Sequence, residues 1–379
     1  MSAVLELARE LIQTETINPP GNEAAAAAIV GARLSAAGLD VREHELAPGR
    51  TGVVARSRDG GDRPALCMTA HLDTVPLGRA EWRRDPLAGE VDGDRLYGRG
   101  ASDMKCGLAA IVVAAERVAA LGAGHAPLEL VLCAAEETGC EGALQIASAP
   151  GALSRAGAVL VAEPTSNYPC TAHKGVVWLD AATRGRTAHG SMPELGENAV
   201  YAMARAISAL EALELPRPGH PLLGEPTLSV GTVSGGMNIN SVPDAATAGI
   251  DIRTVPGLTE DDAVEAVAQA LGDAVRLTER VKLPPVVTDP GDPWVAEVFE
   301  VMEPLIGEPP APRGLAYFTD ASALTPAYGG PPTIVCGPGD ADQAHQTDES
   351  CSIARLEAAA EGFFEIARRW CGVGSARGA

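Results

Sequence analysis

Aromatic residues are scarce in this chain: 4 Trp, 5 Tyr and 4 Phe among 379 residues. With 46% hydrophobic content, its core must draw most of its volume from Ala, Val, Leu and Ile. Basic residues are also in deficit. Lys and Arg total 29 against 50 Asp and Glu, a net charge of −21, and no Lys/Arg-rich block or basic helix offsets it. Nucleic acid and anionic membrane are poor partner candidates on that ground. Long apolar runs are missing too: the longest uncharged stretch, about 106–115, is far shorter than the ~18 residues a membrane span needs. The eight cysteines (67, 106, 133, 140, 170, 336, 351 and 371) follow no CxxC or zinc-ribbon spacing. Several lie inside apolar runs such as ALCMTA and ELVLCAA, so free, buried thiols in a reducing, cytoplasmic setting are expected. The opening MSAVLELARELIQ carries acids within its apolar pattern and reads as an amphipathic helix rather than a signal peptide.

At 379 residues the chain exceeds what one core usually serves, so two domains are expected. Helical periodicity covers 3–14 and 23–37, the latter stopping at Gly38 before the strand-like LDVREHEL. Next come ALCMTA, a DG turn at Asp92 and Gly93, the helix-like KCGLAAIVVAAERVAAL, then LELVLCAA and AGAVLVAE. Apolar strands alternating with helices predict an α/β domain with a central, mostly parallel sheet flanked by helices. After about residue 173 the order becomes strand, helix (197–213), strand, strand, helix (260–271), strand. That βαββαβ order predicts a compact α+β domain with an antiparallel sheet. PPTIVCG and the final helix at 354–371 resume the first style. The expectation is a catalytic domain of residues 1–173 and 287–379 carrying an inserted domain, 174–286, that serves as lid and dimerisation element.

The chemistry-bearing residues fall at the ends of the predicted strands. His71 and Asp73 follow ALCMTA, Glu136 and Glu137 follow LELVLCAA, and Glu163 ends AGAVLVAE. His345 lies in a loop after PTIVCG, and Asp103 lies in LYGRGASD ahead of a helix. Open α/β sheets assemble their sites at the carboxyl ends of strands. Adjacent acids at a single strand end are ordinarily solvated, but acids and histidines converging from several strands need a counter-charge. Imidazole with carboxylate and no cysteine suits zinc or a related first-row metal, and the number of donors suits two ions. If Asp103 bridges, one ion can take His71 and Glu163 and the other Glu137 and His345. Two divalent cations against three carboxylates leave a slightly positive site, which lets an acidic protein tolerate an anionic substrate. Glu136 then stands free beside the ions as general base. Asp73 is placed to accept the other N–H of His71 and fix its tautomer.

HLDTVP, LYGRGASDMKCG, AAEETGCEGA, AEPT, RTAHGSMPELGENA and QAHQTDE occur in this order. Together they resemble the dizinc amidohydrolase and carboxypeptidase family, from about residue 5 to the last helix. The resemblance implies two Zn2+, with Co2+ or Mn2+ as possible substitutes, held by His71, Asp103, Glu137, Glu163 and His345. It implies catalytic roles for Glu136 and Asp73, and makes His189 the group that stabilises a tetrahedral oxyanion, in a homodimer joined through the inserted domain. Asn240 and Arg253 become candidates for holding a substrate carboxylate, with Lys174 beside them. A cis peptide between Asp103 and Met104 is also implied. EWRRDPL, EPTSNYPCTAHKG and GPGDADQAHQTDES look closest to the acetylornithine deacetylase branch, whereas YFTDASAL is less typical of it. The implied substrate is a small N-acyl amino acid, foremost N-acetyl-L-ornithine. Succinyl-diaminopimelate desuccinylation, or peptide cleavage by the same machinery, remains open.

Overall fold

The computed structural model describes residues 1–58, 61–122, 124–216 and 219–373. In chain order the main strands are β1 (Asp40–Ala47), β2 (Arg50–Arg56), β3 (Ala65–His71), β4 (Leu128–Cys133), β5 (Ala156–Val161), β6 (Gly175–Arg184), β7 (Thr227–Gly235), β8 (Ala245–Thr254), β9 (Val275–Leu283) and β10 (Thr333–Val335). The α-helices are α1 (Ala3–Gln13), α2 (Glu23–Ala36), α3 (Cys106–Ala120), α4 (Glu141–Ser148), α5 (Ala199–Glu211), α6 (Glu260–Leu271), α7 (Pro293–Ile306), α8 (Ala321–Ala327) and α9 (Ile353–Cys371). None of the described helices is long and apolar enough to cross a membrane. All eight cysteines are free and buried.

The chain divides into two compact units. The first comprises residues 1–172, 287–313 and the chain from 319 onward. Its six-stranded sheet runs β1-β2-β4-β3-β5-β10. β4, β3, β5 and β10 are parallel, and the β1–β2 hairpin continues the sheet antiparallel at one edge. The fold class is therefore α/β with a parallel-rich central sheet. Every residue of β3 and β4 is buried, as expected of strands covered on both faces. The cover is made of small residues: ten consecutive positions of α3, Cys106 to Ala115, are buried, six of them Ala, Gly or Cys. At its start Gly107 meets β5 so closely that a Cβ there would lie 2.0 Å from the carbonyl oxygen of Ala162. Only glycine permits that approach, and it seats the helix beside the residue preceding Glu163.

Register sets where the strands end. In the parallel pairs His71 lies opposite Cys133, Thr69 opposite Val161, and Val161 opposite Val335. The carboxyl ends of four strands are thus level, and the loops leaving them share one edge. The chain passes from β3 to β4 on one side and then to β5 on the other. That reversal opens a crevice between the loops, the usual place for a ligand in such sheets.

The second unit comprises residues 173–286 and 314–318. Its antiparallel sheet has the order β7-β8-β6-β9. One face buries Val177, Leu179, Ala181, Ala248, Ile250 and Ile252 with Met203 and Leu210 of α5 and Val267 of α6. The elements expected from sequence do not include 50–56 or 293–306, where the structure has β2 and α7. β2 is a short apolar run between two arginines, and α7 starts at Pro293 and contains Pro304. The β2 run is too short to show a period, whereas α7 does carry helical apolar spacing at Trp294, Val295, Val298, Val301 and Met302. The DG turn at Asp92 and Gly93 falls within a hairpin of Glu90–Asp92 with Arg95–Tyr97, to which Ser350–Ser352 adds a third antiparallel strand.

Candidate metal centre

Five sequence-predicted donors meet in two overlapping clusters. His71, Asp103 and Glu163 offer ligand atoms that all lie within 4.8 Å of one another, and so do Asp103, Glu137 and His345. Asp103 belongs to both. Its Oδ1 lies 3.0 Å from His71 Nε2, and its Oδ2 lies 3.4 Å from His345 Nε2. His71 Nε2 is 3.8 Å from Glu163 Oε1, and His345 Nε2 is 3.2 Å from Glu137 Oε2. His71, Glu136 and Glu163 are buried, Asp103 and Glu137 are half-buried, and His345 is exposed. His345 itself sits at φ 63°, and Ala135, just before the glutamate pair, at φ 59°. Such left-handed backbone costs about 1–3 kcal/mol in non-glycine residues and persists where surrounding contacts enforce it. The Asp103–Met104 peptide is cis.

The donor atoms suit divalent cations. Glu137 Oε1 is buried without a hydrogen-bond partner, an acceptor with nothing to accept. Burial, then the neighbouring Glu163 charge, push the Glu136 carboxyl well above its ordinary range. Glu163 is raised by burial and by Asp103, and Glu137 is pushed to about 7 by the same two causes. Protons on the histidines offset this crowding in the metal-free chain. His71 is raised well above 6.5 despite burial, by its hydrogen bond with Asp103 and the charge of Glu163. His345 is pushed to about 10 by Asp103 and then Glu137. For Asp103, burial pushes upward, but hydrogen bonds from His345 and His71 prevail and hold its carboxyl below the usual range. Nitrogen and carboxylate donors without a thiolate match zinc, cobalt or manganese. Binding such ions releases the protons, so affinity rises with pH.

A pH dependence follows for the metal-free protein. His345 binds its proton more tightly folded, at about 10, than unfolded, at ~6.5. Its stabilisation is therefore complete below pH ~6.5 and is lost as pH rises toward 10. Glu137, about 7 when folded against ~4.3 unfolded, also favours the folded state at lower pH. Thermal melts of chelator-treated protein should show a lower Tm at pH 9 than at pH 6. A Tm that is flat or higher at pH 9 would contradict this account of the cluster.

Asp73 departs from the expected contact. The Nδ1–H of His71 donates to the main-chain carbonyl of Asp73 at 2.9 Å, while the nearer carboxylate oxygen is 3.6 Å away. The Asp73 carboxylate instead accepts the main-chain N–H of Glu136 at 3.1 Å and of Glu137 at 3.3 Å, together with Asn18 Nδ2 at 2.8 Å. Those amides, at a turn past the end of β4, have no strand partner, and a carboxylate reaches both at once. Its place is to fix the backbone of the glutamate pair. Asp73→Asn turns an amide N–H2 against one of those donors and should lower kcat by ~10–100-fold, the usual cost of disturbing a ligand's support. Unchanged kcat would refute the contact's importance.

In the second unit, an isolated bridge pairs His189 with Ser241, and Gly190 N donates to the carbonyl of Asn240 at 2.7 Å, so two predicted residues are neighbours. His189 is exposed, with Nδ1 2.7 Å from Ser191 Oγ. Arg253 does not stand open as expected of a carboxylate clamp. Its Nε and Nη2 donate to both carboxylate oxygens of Asp251, at 2.7 and 2.9 Å, and its guanidinium lies over the Phe318 ring. Trp178 Nε1 donates to the same Asp251 and its ring meets Phe318 edge-on. Lys174 is buried and donates to the carbonyl of Glu225, and its pKa is lowered by burial and then by Arg253.

Four further residues matter here that no spacing in the sequence marks. Asn18 supports Asp73. Asp320 is buried, and burial pushes its carboxyl to about 6 against the pull of His71. Asp340 pairs with Arg355 and accepts from Ser166 at 2.6 Å, tying down the loop of His345. Glu349 binds the loop of Asp103. QAHQTDE displayed Glu349, but nothing in its spacing reports a hydrogen bond to a main chain far away in sequence.

Fold and donor set together define the class of metal-dependent hydrolases. Residues 67–369 match Peptidase family M20/M25/M40. The acetylornithine deacetylase of Edwardsiella ictaluri is 33% identical over 331 residues, which cover 84% of each chain. Among solved structures, the M20 family metallo-carboxypeptidase Sso-CP2 of Sulfolobus solfataricus superposes with a TM-score of 0.85 at 19% identity, covering 98% of this chain and 100% of that one. The YXEP protein of Bacillus subtilis, described as a dinuclear metal binding peptidase, gives 0.68 at 17% identity and 98% coverage of both chains. This chain belongs to Peptidase family M20/M25/M40.

Proposed function

We propose that this protein is a dinuclear deacylase that hydrolyses the amide bond of an N-acyl amino acid, foremost N-acetyl-L-ornithine, to a carboxylate and the free amino acid. The observation that carries this reading is the sharing of Asp103 by two donor clusters, with Glu136 left outside both. His71 and Glu163 would hold one ion, Glu137 and His345 the other, and Asp103 both, with zinc the ion expected. When bound, the ions supply Lewis acidity that polarises the scissile carbonyl and acidifies water. Glu136 is left to move the proton. Its carboxylate accepts one from the attacking water and delivers it to the amine nitrogen as the C–N bond breaks, so acid and base are one group used twice. His189 is assigned to the developing oxyanion and Asn240 to the substrate's polar end, while Arg253 and Lys174 are engaged by Asp251 and the Glu225 carbonyl and are not assigned to substrate.

The name of the Edwardsiella relative supports the ornithine substrate. A homodimer through the second unit fits its exposed edge strand β7 and the apolar side chains nearby, Val233, Met237 and Ile239, all exposed. Sedimentation at two concentrations tests it, and a monomer at both would remove it. For the reaction, metal-stripped protein is assayed before and after zinc addition on N-acetyl-L-ornithine, N-succinyl-diaminopimelate and a dipeptide. Zinc-restored release of ornithine as the fastest reaction supports the reading. Faster turnover of either other substrate replaces ornithine but keeps the mechanism, and no zinc-dependent turnover of any rejects the proposed function.

A further inference from the structure

The carboxylate of Glu349 is enclosed by donors from a single loop. Oε1 accepts the main-chain N–H of Ser102 at 2.7 Å and of Asp103 at 2.9 Å. Oε2 accepts that of Gly100 at 2.9 Å and Arg99 Nη1 at 2.7 Å. The side chains of Glu349 and Arg99 are 1% and 2% exposed, a burial that charged groups sustain when paired with each other and hydrogen-bonded. The loop requires such an acceptor. Asp103 (φ −122°, ψ 94°) and Met104 (φ −136°, ψ 33°) interrupt the helical turn 101–105, so the N–H groups ahead of them cannot all be satisfied by a regular helix. Glu349 also stands four residues beyond His345, and the strand following it pairs with Arg95–Tyr97. One carboxylate therefore joins the segment bearing Asp103 to the segment bearing His345.

We propose that Glu349 is a positioning residue for the metal centre: by gathering the amides of residues 100, 102 and 103 it aims the two carboxylate oxygens of Asp103 at His71 and His345 before any ion arrives. It touches neither ion nor substrate. The inference rests on the reading of Asp103 as the ligand shared by both ions. Glu349→Gln keeps the side chain's shape but replaces one acceptor with an N–H2 facing N–H donors. Main-chain support of Asp103 is thereby cut, and ion affinity should fall by ~10–100-fold, the range seen when a ligand's hydrogen-bond partner is removed.

Cobalt(II) is titrated into metal-stripped wild type and Glu349→Gln, following the visible absorption band, with circular dichroism confirming that the variant is folded. Weaker uptake with an altered band supports the role. Identical affinity and spectrum in a folded variant overturn it, while the metal-centre reading survives. Wild type that takes up no cobalt overturns that reading and this inference together. Should the variant not fold, hydrogen exchange on metal-free wild type decides. Peptides spanning 100–103 should already be protected, and protection that appears only after zinc addition would show that the ion, not Glu349, orders the loop.

Discussion

Glu136→Gln is expected to bind divalent ions as wild type does and to lose at least ~100-fold in turnover, the ordinary contribution of a positioned proton-transfer group. Glutamine keeps the shape and the main-chain contact to Asp73, because that contact is made by the Glu136 N–H and not by its side chain. What disappears is the capacity to take and return a proton. KM should change little, since Glu136 lies in neither donor cluster. The acid limb of the kcat/KM profile should disappear with the carboxylate. Elemental analysis and steady-state kinetics check the prediction together. Full turnover with full metal content would remove Glu136 from the mechanism, whereas lost turnover with lost metal would make it a ligand.

The parts of this site legible in the sequence are those carried by strand ends. ALCMTA, LELVLCAA and AGAVLVAE declare themselves as buried parallel strands, and a residue just past such a strand can only lie at the sheet's carboxyl edge. That logic places His71, Glu136, Glu137 and Glu163, and the accompanying loops place Asp103 and His345. Contacts between side chains and main-chain amides were not legible. Asp73 was expected to use its carboxylate on His71, yet two residues of separation let its carbonyl do so and freed the carboxylate for the Glu136 and Glu137 amides. Glu349 and Asp103 are 246 positions apart, beyond any periodic signal. The return of residues 314–318 to the second unit was hidden for a related reason. Its content is spatial: Phe318 meets Trp178 and Arg253, partners that no local pattern announces. Arg253 itself looked like a free guanidinium because Asp251 lies on the same face of β8, where a pairing two residues apart is as compatible with solvent exposure as with an ion pair.

Asp103→Ala should have the broadest consequence of any single change here, because both donor clusters pass through that one carboxylate. Each ion would lose a ligand, and the two would lose the anion that offsets their mutual repulsion. Affinity for both should fall by more than the ~10–100-fold assigned to loss of a supporting contact, and turnover should fall with it. The metal-free protein provides an independent reading. Asp103 is the first cause of the raised His345 pKa and a leading one for His71, so its removal should return both histidines toward neutrality at lower pH. The decline in Tm between pH 6 and pH 9 expected of metal-free wild type should then become shallower. Alanine leaves the main-chain N–H of residue 103 on Glu349, so the loop should keep its path and the loss should be one of charge and ligation rather than fold. Unchanged metal content by elemental analysis would refute the shared-ligand role. An undiminished pH slope would show that protons in the empty cluster are held by Glu137 and Glu163 alone.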